Sequence, residues 1–198
     1  MLRRHGQSGF TLIELMVSLL VAAVLVALAA PSFRDLVVKS RLRGATDAIV
    51  NLFNTARTSA VKMQRDVIVS LQGTTTWCGG AAAAAVPTIG DPVLSATACD
   101  CVSAICPLDN LNAKVSSSDY SNVSVAVASA VDYGSVNQGV TFNSKLGAID
   151  LGSAPATNAP VVTLTSGRYT TQVYLYPLGQ TYVCVPGSSP FVSGYPSC

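Results

Sequence analysis

The sequence predicts an α+β fold: a long N-terminal helix, membrane-spanning in its first half, packed on an antiparallel β-sheet head. Three patterns predict it. Residues Phe10–Ala30 form an apolar run, FTLIELMVSLLVAAVLVALAA, whose one charge is Glu14. Small and apolar residues then recur every three or four positions as far as Met63. After Gln64 the period drops to two, in segments rich in Val, Thr and Tyr.

Composition agrees with this division. Apolar residues make up 49% of the 198-residue chain and charged residues 11%, where an ordinary soluble domain carries roughly a quarter charged. A membrane segment and a head rich in small uncharged residues account for the deficit. Residues 1–65 hold nine Lys and Arg against three Asp and Glu; residues 66–198 hold three against seven. The basic charge flanks the apolar run. The mildly acidic head opposes broad attraction to nucleic acid.

The first nine residues, MLRRHGQSG, are short, polar and cationic and read as a leader peptide. The 21 residues that follow span about 31 Å as a helix, enough to cross a bilayer core. Arg3 and Arg4 place the short side in the cytoplasm. An ordinary secretory signal is cut after its apolar region, and Ala27–Ala30 could serve as such a site. The polar leader instead ends in Gly9, directly before the run, which fits cleavage on the cytoplasmic side and retention of the apolar segment as an anchor. A carboxylate such as Glu14 within hydrocarbon costs about 2.5–3.5 kcal/mol on insertion scales, so a partner is expected. Cleavage after Gly9 would supply one: the new amine of Phe10, about one turn away in the same helix or offered by a neighbouring subunit.

Gly9-Phe10-Thr11-Leu12-Ile13-Glu14-Leu15-Met16 resembles the processing motif of type IV prepilins and type II secretion pseudopilins. The resemblance implies cleavage after Gly9 by a prepilin peptidase and N-methylation of Phe10. It implies that Glu14 pairs with the Phe10 amine of an adjacent subunit and so sets register during assembly. It also implies storage in the inner membrane as a single-pass protein, followed by incorporation into an extracellular pilus.

Pro31 follows the apolar run. A proline inside a helix removes one backbone bond and kinks it, and because the pattern resumes, a bend rather than a stop is expected there. Leu42, Ala45, Ile49, Leu52, Ala56, Ala60 and Met63 make one stripe, with Lys39, Arg43, Asp47, Asn54, Arg57 and Lys62 opposite. One helix over residues 10–63, about 80 Å long, is expected, with its transmembrane part at 10–30. Asn54–Val61 resembles the end of this helix in minor pilins of the FimT/GspH type, with Thr58-Ser59 where Ser-Glu is usual.

The head is expected over residues 64–198. Val67, Val69 and Leu71 alternate in Asp66–Gln72, a first strand. Thr74–Asn112 reads as loop, with Gly79-Gly80, an alanine run, Pro87, Pro92, Pro107 and four cysteines. Further strands are expected at Val123–Ala130, Val140–Asn143, Ala148–Leu151, Val161–Thr165, Thr170–Tyr176 and Tyr182–Val185. Val140–Gly147 resembles the Thr-Phe-x-x-x-Gly hairpin of the FimT/GspH group, and Ser166-Gly167-Arg168 its late Ser-x-Gly-Arg strand entry. A pilin-like fold is what these resemblances imply.

All six cysteines lie beyond residue 77, in the part expected outside the cytoplasm, and read as disulfides. Linking Cys184 to Cys198 would tie the last segment to the final strand, and this resembles the C-terminal disulfide loop of type IV pilins. Cys78, Cys99, Cys101 and Cys106 allow three connectivities, of which Cys78–Cys99 with Cys101–Cys106 is the one expected here. Structural zinc accepts four thiolates, but this spacing lacks a paired Cys-x2-Cys motif.

An enzyme is hard to assemble from these residues. The sole histidine, His5, lies in the leader, no cysteine has a histidine base, and no glycine-rich phosphate loop is present. No catalytic residue and no cofactor are expected. Trp77 and tyrosines 169, 174, 176 and 182 read as strand or core aromatics. The expected function is that of a minor pilin of the FimT/FimU/GspH family, priming assembly near the tip of a type IV pilus and supporting twitching motility and adhesion. Its partners are other pilin and minor pilin subunits, the prepilin peptidase and the inner membrane. A GspH-type pseudopilin of type II secretion is one alternative. A FimT-like DNA receptor for transformation is another, with Arg168 as its contact; the second arginine expected two positions on is replaced by Thr170.

Overall fold

The computed structural model describes residues 10–84, 98–103, 105–109, 111–128, 139–149 and 160–198, with Ala30 and Pro31 described by backbone alone. The chain divides into two compact units, residues 1–37 and 38–198. Helix α1 runs from Leu12 to Met63, 52 residues, and does not stop at Pro31. In the first unit every described side chain over Leu12–Ala29 is exposed, and this stretch is long and apolar enough to cross a membrane. The arrangement is an N-terminal apolar helix continuing into a long helix packed on antiparallel sheets, an α+β pilin-like fold.

The C-terminus of α1 is closed by backbone geometry. Gln64 adopts φ 53°, the left-handed region. The Arg65 N–H donates to the Ala60 carbonyl at 3.2 Å and the Gln64 N–H to the Val61 carbonyl at 3.4 Å. These are the paired bonds of a Schellman cap, here with Gln where Gly is usual.

In the second unit the helical stripe is buried as its spacing requires. Leu42, Ala45, Ile49, Leu52, Ala56 and Ala60 lie in the core together with Phe53, and Met63 is half-buried. The stripe packs against two four-stranded antiparallel sheets. The first has the order β5-β2-β1-β7, from β1 (Val67–Gln72), β2 (Cys78–Ala83), β5 (Lys114–Ser116) and β7 (Val140–Phe142). The second has the order β10-β9-β8-β6, from β6 (Ser124–Val127), β8 (Val162–Ser166), β9 (Tyr169–Leu175) and β10 (Thr181–Cys184). A small ribbon pairs β3 (Pro107–Leu108) with β4 (Leu111–Asn112).

Alternation decides the faces. On β9, Tyr169, Thr171, Val173 and Leu175 are buried, while Thr170, Gln172 and Tyr174 are not. Thr171 meets the helix directly, its hydroxyl 2.8 Å from that of buried Thr46. Thr46 also donates to the Leu42 carbonyl, so both buried hydroxyls are satisfied. Phe53 of α1 contacts Phe142 of β7 with ring centroids 6.4 Å apart. Trp77 is buried, donates its indole N–H to the Val123 carbonyl and stacks on Tyr120.

Two expectations are corrected. The stretch Thr74–Asn112 is not all loop: Cys78–Ala83 pairs along the whole of β1, with Val67 opposite Ala83 and Gln72 opposite Cys78. Its sequence, CGGAAA, has no strand propensity, yet its small residues fit a crowded place. A Cβ on Gly79 would press on Leu52, Leu71 and Val115, and one on Gly80 would strike Cys106. The second correction concerns the disulfides. Cys78–Cys99 and Cys101–Cys106 are not formed; Cys78 is bonded to Cys101 and Cys99 to Cys106. Gln72 sits beside the first of these bridges: it stands opposite Cys78, its amide donates to Asp100 at 2.7 Å, and the same nitrogen lies 3.6 Å from Cys78 Sγ and 3.5 Å from Cys101 Sγ. Of the strand expected at Ala148–Leu151, Ile149 makes a bridge to Phe142, and residues 150–151 lie outside the described residues, as do the last two of Val123–Ala130.

Candidate processing and assembly segment

The apolar helix begins with a cap. Thr11 precedes α1, and its carbonyl accepts the bond from the Leu15 N–H at 3.2 Å. Its hydroxyl oxygen accepts from the Glu14 N–H at 3.3 Å. Thr11 is thus the N-cap, at the Thr-x-x-Glu spacing of a capping box. Phe10 lies before the helix and is 78% exposed. Gly9 lies outside the described residues. Glu14 sits in the first turn with its side chain exposed among exposed apolar neighbours, where a carboxylate also complements the positive helix end. Ser18 donates its hydroxyl to the Glu14 carbonyl at 2.7 Å, which satisfies a polar group inside the apolar stretch.

In the head, the segments singled out in the sequence meet. Gly147, with φ 62°, and Gly179, with φ 75°, are the two places where two turns close on Arg57 of α1. A Cβ on either would strike the Arg57 side chain, and one on Gly179 would also strike the Gly147 carbonyl. The Ile149 N–H donates to the Pro177 carbonyl at 2.9 Å and links the same two turns. So the helix segment Asn54–Val61 and the hairpin Val140–Gly147, far apart in the chain, pack on each other.

Arg168 lies in the turn between β8 and β9. It is exposed, donates to the Tyr169 hydroxyl from Nε at 3.2 Å and from a terminal nitrogen at 3.0 Å, and lies 5.2 Å from that ring's centroid. Lys39 of α1 sits over the same ring at 4.9 Å. Two cations therefore share one buried aromatic. Tyr174 on β9 and Tyr182 on β10 are strand aromatics outside the core, and Tyr174 and Tyr176, the latter just past β9, each contact Tyr182.

Cys184 is bonded to Cys198. The loop it closes is held to the helix by Tyr195, whose hydroxyl donates to Asp47 Oδ1 at 2.6 Å. Burial, then this bond and the Asp47 charge, push the Tyr195 phenol above its usual range, so it stays a donor. The other four cysteines form a small buried cluster of their own with Ala82. All six are oxidised, so no thiolate remains for zinc. Sequence reasoning missed Thr11, Gln72 and Tyr195. For Thr11 the spacing to Glu14 was a usable signal; Gln72 and Tyr195 act through contacts that no local pattern marks.

Fold and N-terminal segment together define a pilin-like chain, an apolar anchoring helix carried into an α+β head. Residues 4–30, 27 of the 198, match the family model described as the prokaryotic N-terminal methylation motif, a type IV pilin-like prepilin signal. No curated protein and no solved structure matches the chain. The motif supports a type IV pilin-like or pseudopilin protein, a structural subunit rather than an enzyme. With the apolar helix it fits a membrane-anchored pilin before assembly, one that meets other pilins and the prepilin peptidase.

Proposed function

We propose that this chain is a minor pilin of the FimT/FimU type, cut after Gly9, N-methylated at Phe10 and built into a type IV pilus near its tip, where it primes assembly for motility and adhesion. The observation that carries the reading is Glu14, an exposed carboxylate in the first turn of an otherwise apolar helix. Inside hydrocarbon it needs a cation, and the amine created at Phe10 of an adjacent subunit provides one. Pairing of that kind fixes how far one helix slides along the next. The filament holds the subunit through α1, and the disulfide-stapled head is the part it displays.

The test is incorporation. Glu14→Val should leave the precursor inserted in the inner membrane, with at least a tenfold drop in its amount in sheared pilus fractions. Normal levels of the variant in pili would refute the register role.

A second reading, DNA reception, draws on the two cations that meet at Tyr169. A gel-shift assay with the compact unit of residues 38–198 should then show salt-sensitive binding that weakens in Arg168→Ala and Lys39→Ala; no shift at low salt removes this reading.

A further inference from the structure

We propose that the free edge of β5 docks an extended segment of another polypeptide, which adds an antiparallel strand to the first sheet and lays its apolar side chains in the cleft between that edge and α1. The inference goes beyond the pilus reading and does not depend on it.

β5 ends the first sheet, and among the described residues it pairs only with β2. The ladder fixes which backbone groups are used. Val115 stands opposite Gly79, the Ala81 N–H donates to the Ala113 carbonyl at 3.0 Å, and the Ser117 N–H donates to the Trp77 carbonyl at 2.8 Å. Residues 113, 115 and 117 thus turn toward β2, and the alternate residues of an antiparallel strand turn the other way. The N–H and carbonyl groups of Lys114 and Ser116 therefore face outward, with Ser116 still extended at φ −145° and ψ 157°. Such a row is a template for one more strand.

Beside the edge lies a cleft of about 360 Å³, walled by Ala48, Asn51 and Thr55 of α1 and by Leu108, Leu111 and Val115. Asn51, Thr55 and Leu111 are exposed, so the sheet stops short of this flank of the helix. A strand about 4.8 Å beyond β5 would cover it.

Charge selects the occupant. Lys114 has no ion pair among the described residues. Val115 is buried, so Lys114 and Ser116 carry their side chains on the opposite face of the sheet. An added strand that sets a carboxylate opposite Lys114, with apolar residues on either side of it turned toward α1, matches both faces at once. Asp119 lines the same cleft and disfavours a second acid. The segment recognised is therefore apolar–acidic–apolar.

The experiment titrates full-length protein in detergent micelles into a fluorescein-labelled peptide, Val-Thr-Val-Asp-Val-Thr, and reads anisotropy against empty micelles. Saturable binding is expected. N-methylation of the Thr and Asp residues, whose N–H groups would face Lys114 and Ser116, should weaken it at least tenfold, and N-methylation of the valines less than threefold. Asn51→Trp, which fills the cleft from an exposed position, should weaken it at least tenfold. Lys114→Glu should weaken it about threefold, and a peptide with Lys in place of Asp should recover that loss. Unchanged thermal midpoints show that both variants are folded. No saturable binding by the wild type overturns the proposal. Both N-methylated peptides bound as tightly as the parent, or Asn51→Trp binding as tightly as wild type, overturns it as well.

Discussion

The Gln72 side-chain amide donates to Asp100 Oδ1 at 2.7 Å and lies 3.6 Å from Cys78 Sγ and 3.5 Å from Cys101 Sγ. Asp100 also accepts from the Ser103 hydroxyl and the Val102 N–H. These bonds, the Ser103 hydroxyl foremost, hold its carboxyl at about 2 against the usual 3.8. A carboxyl with a depressed folded pKa contributes its stability fully above about pH 4, and the contribution is lost as pH falls through about 2. An NMR titration should therefore show the Asp100 carboxyl changing near pH 2, and Gln72→Ala should move that midpoint upward. A midpoint near 4 in the wild type would mean that the Asp100 turn is not formed. This residue also shows where sequence reading ran out. The spacing of four cysteines admits three pairings, and the residue that meets both sulfurs of the Cys78–Cys101 bridge is a glutamine whose contacts no local pattern marks.

At the scale of elements, legibility follows side-chain size and period. The stripe of α1 and strands β1, β7, β8, β9 and β10 could be read because branched and aromatic residues alternate with small or polar ones. Strand β2 could not, since Gly79, Gly80 and three alanines carry no strand preference and are recruited by what already stands around them. The two turns at Gly147 and Gly179 are a middle case. Their glycines signal turns, but the closure of both on Arg57 is a tertiary fact. Gly147→Ala must force a left-handed backbone on a residue with a Cβ and push that Cβ into Arg57. We expect a loss of about 1–3 kcal/mol, read as a lower urea midpoint with an unchanged slope. An unchanged midpoint would show that the turn is not packed as described.

For the molecule as a whole, the overall plan was visible in the sequence, an apolar anchor leading into one helix and then a β-rich head. The division into compact units was not. It falls between Val37 and Val38, inside α1, because the second half of the helix shares its core with both sheets. A repeating pattern marks where a helix runs but not which part of it gains neighbours. The C-terminal loop closed by Cys184–Cys198 spans about 15 residues, and removing both thiols with Cys184→Ser/Cys198→Ser should lower head stability by about 3 kcal/mol. Thermal unfolding of the purified head under non-reducing conditions checks this, and an unchanged midpoint would refute it.

None of the three bridges touches α1: their cysteines lie at residues 78, 99, 101, 106, 184 and 198. Apart from the short backbone link from Met63 to Val67, traction along the helix axis would therefore reach the strands through non-covalent packing, across Leu42, Ile49, Phe53 and their neighbours. Pulled hard enough, the rod would shear from its cap while each stapled loop stayed closed, so oxidation toughens the displayed surface without reinforcing the joint that bears tension.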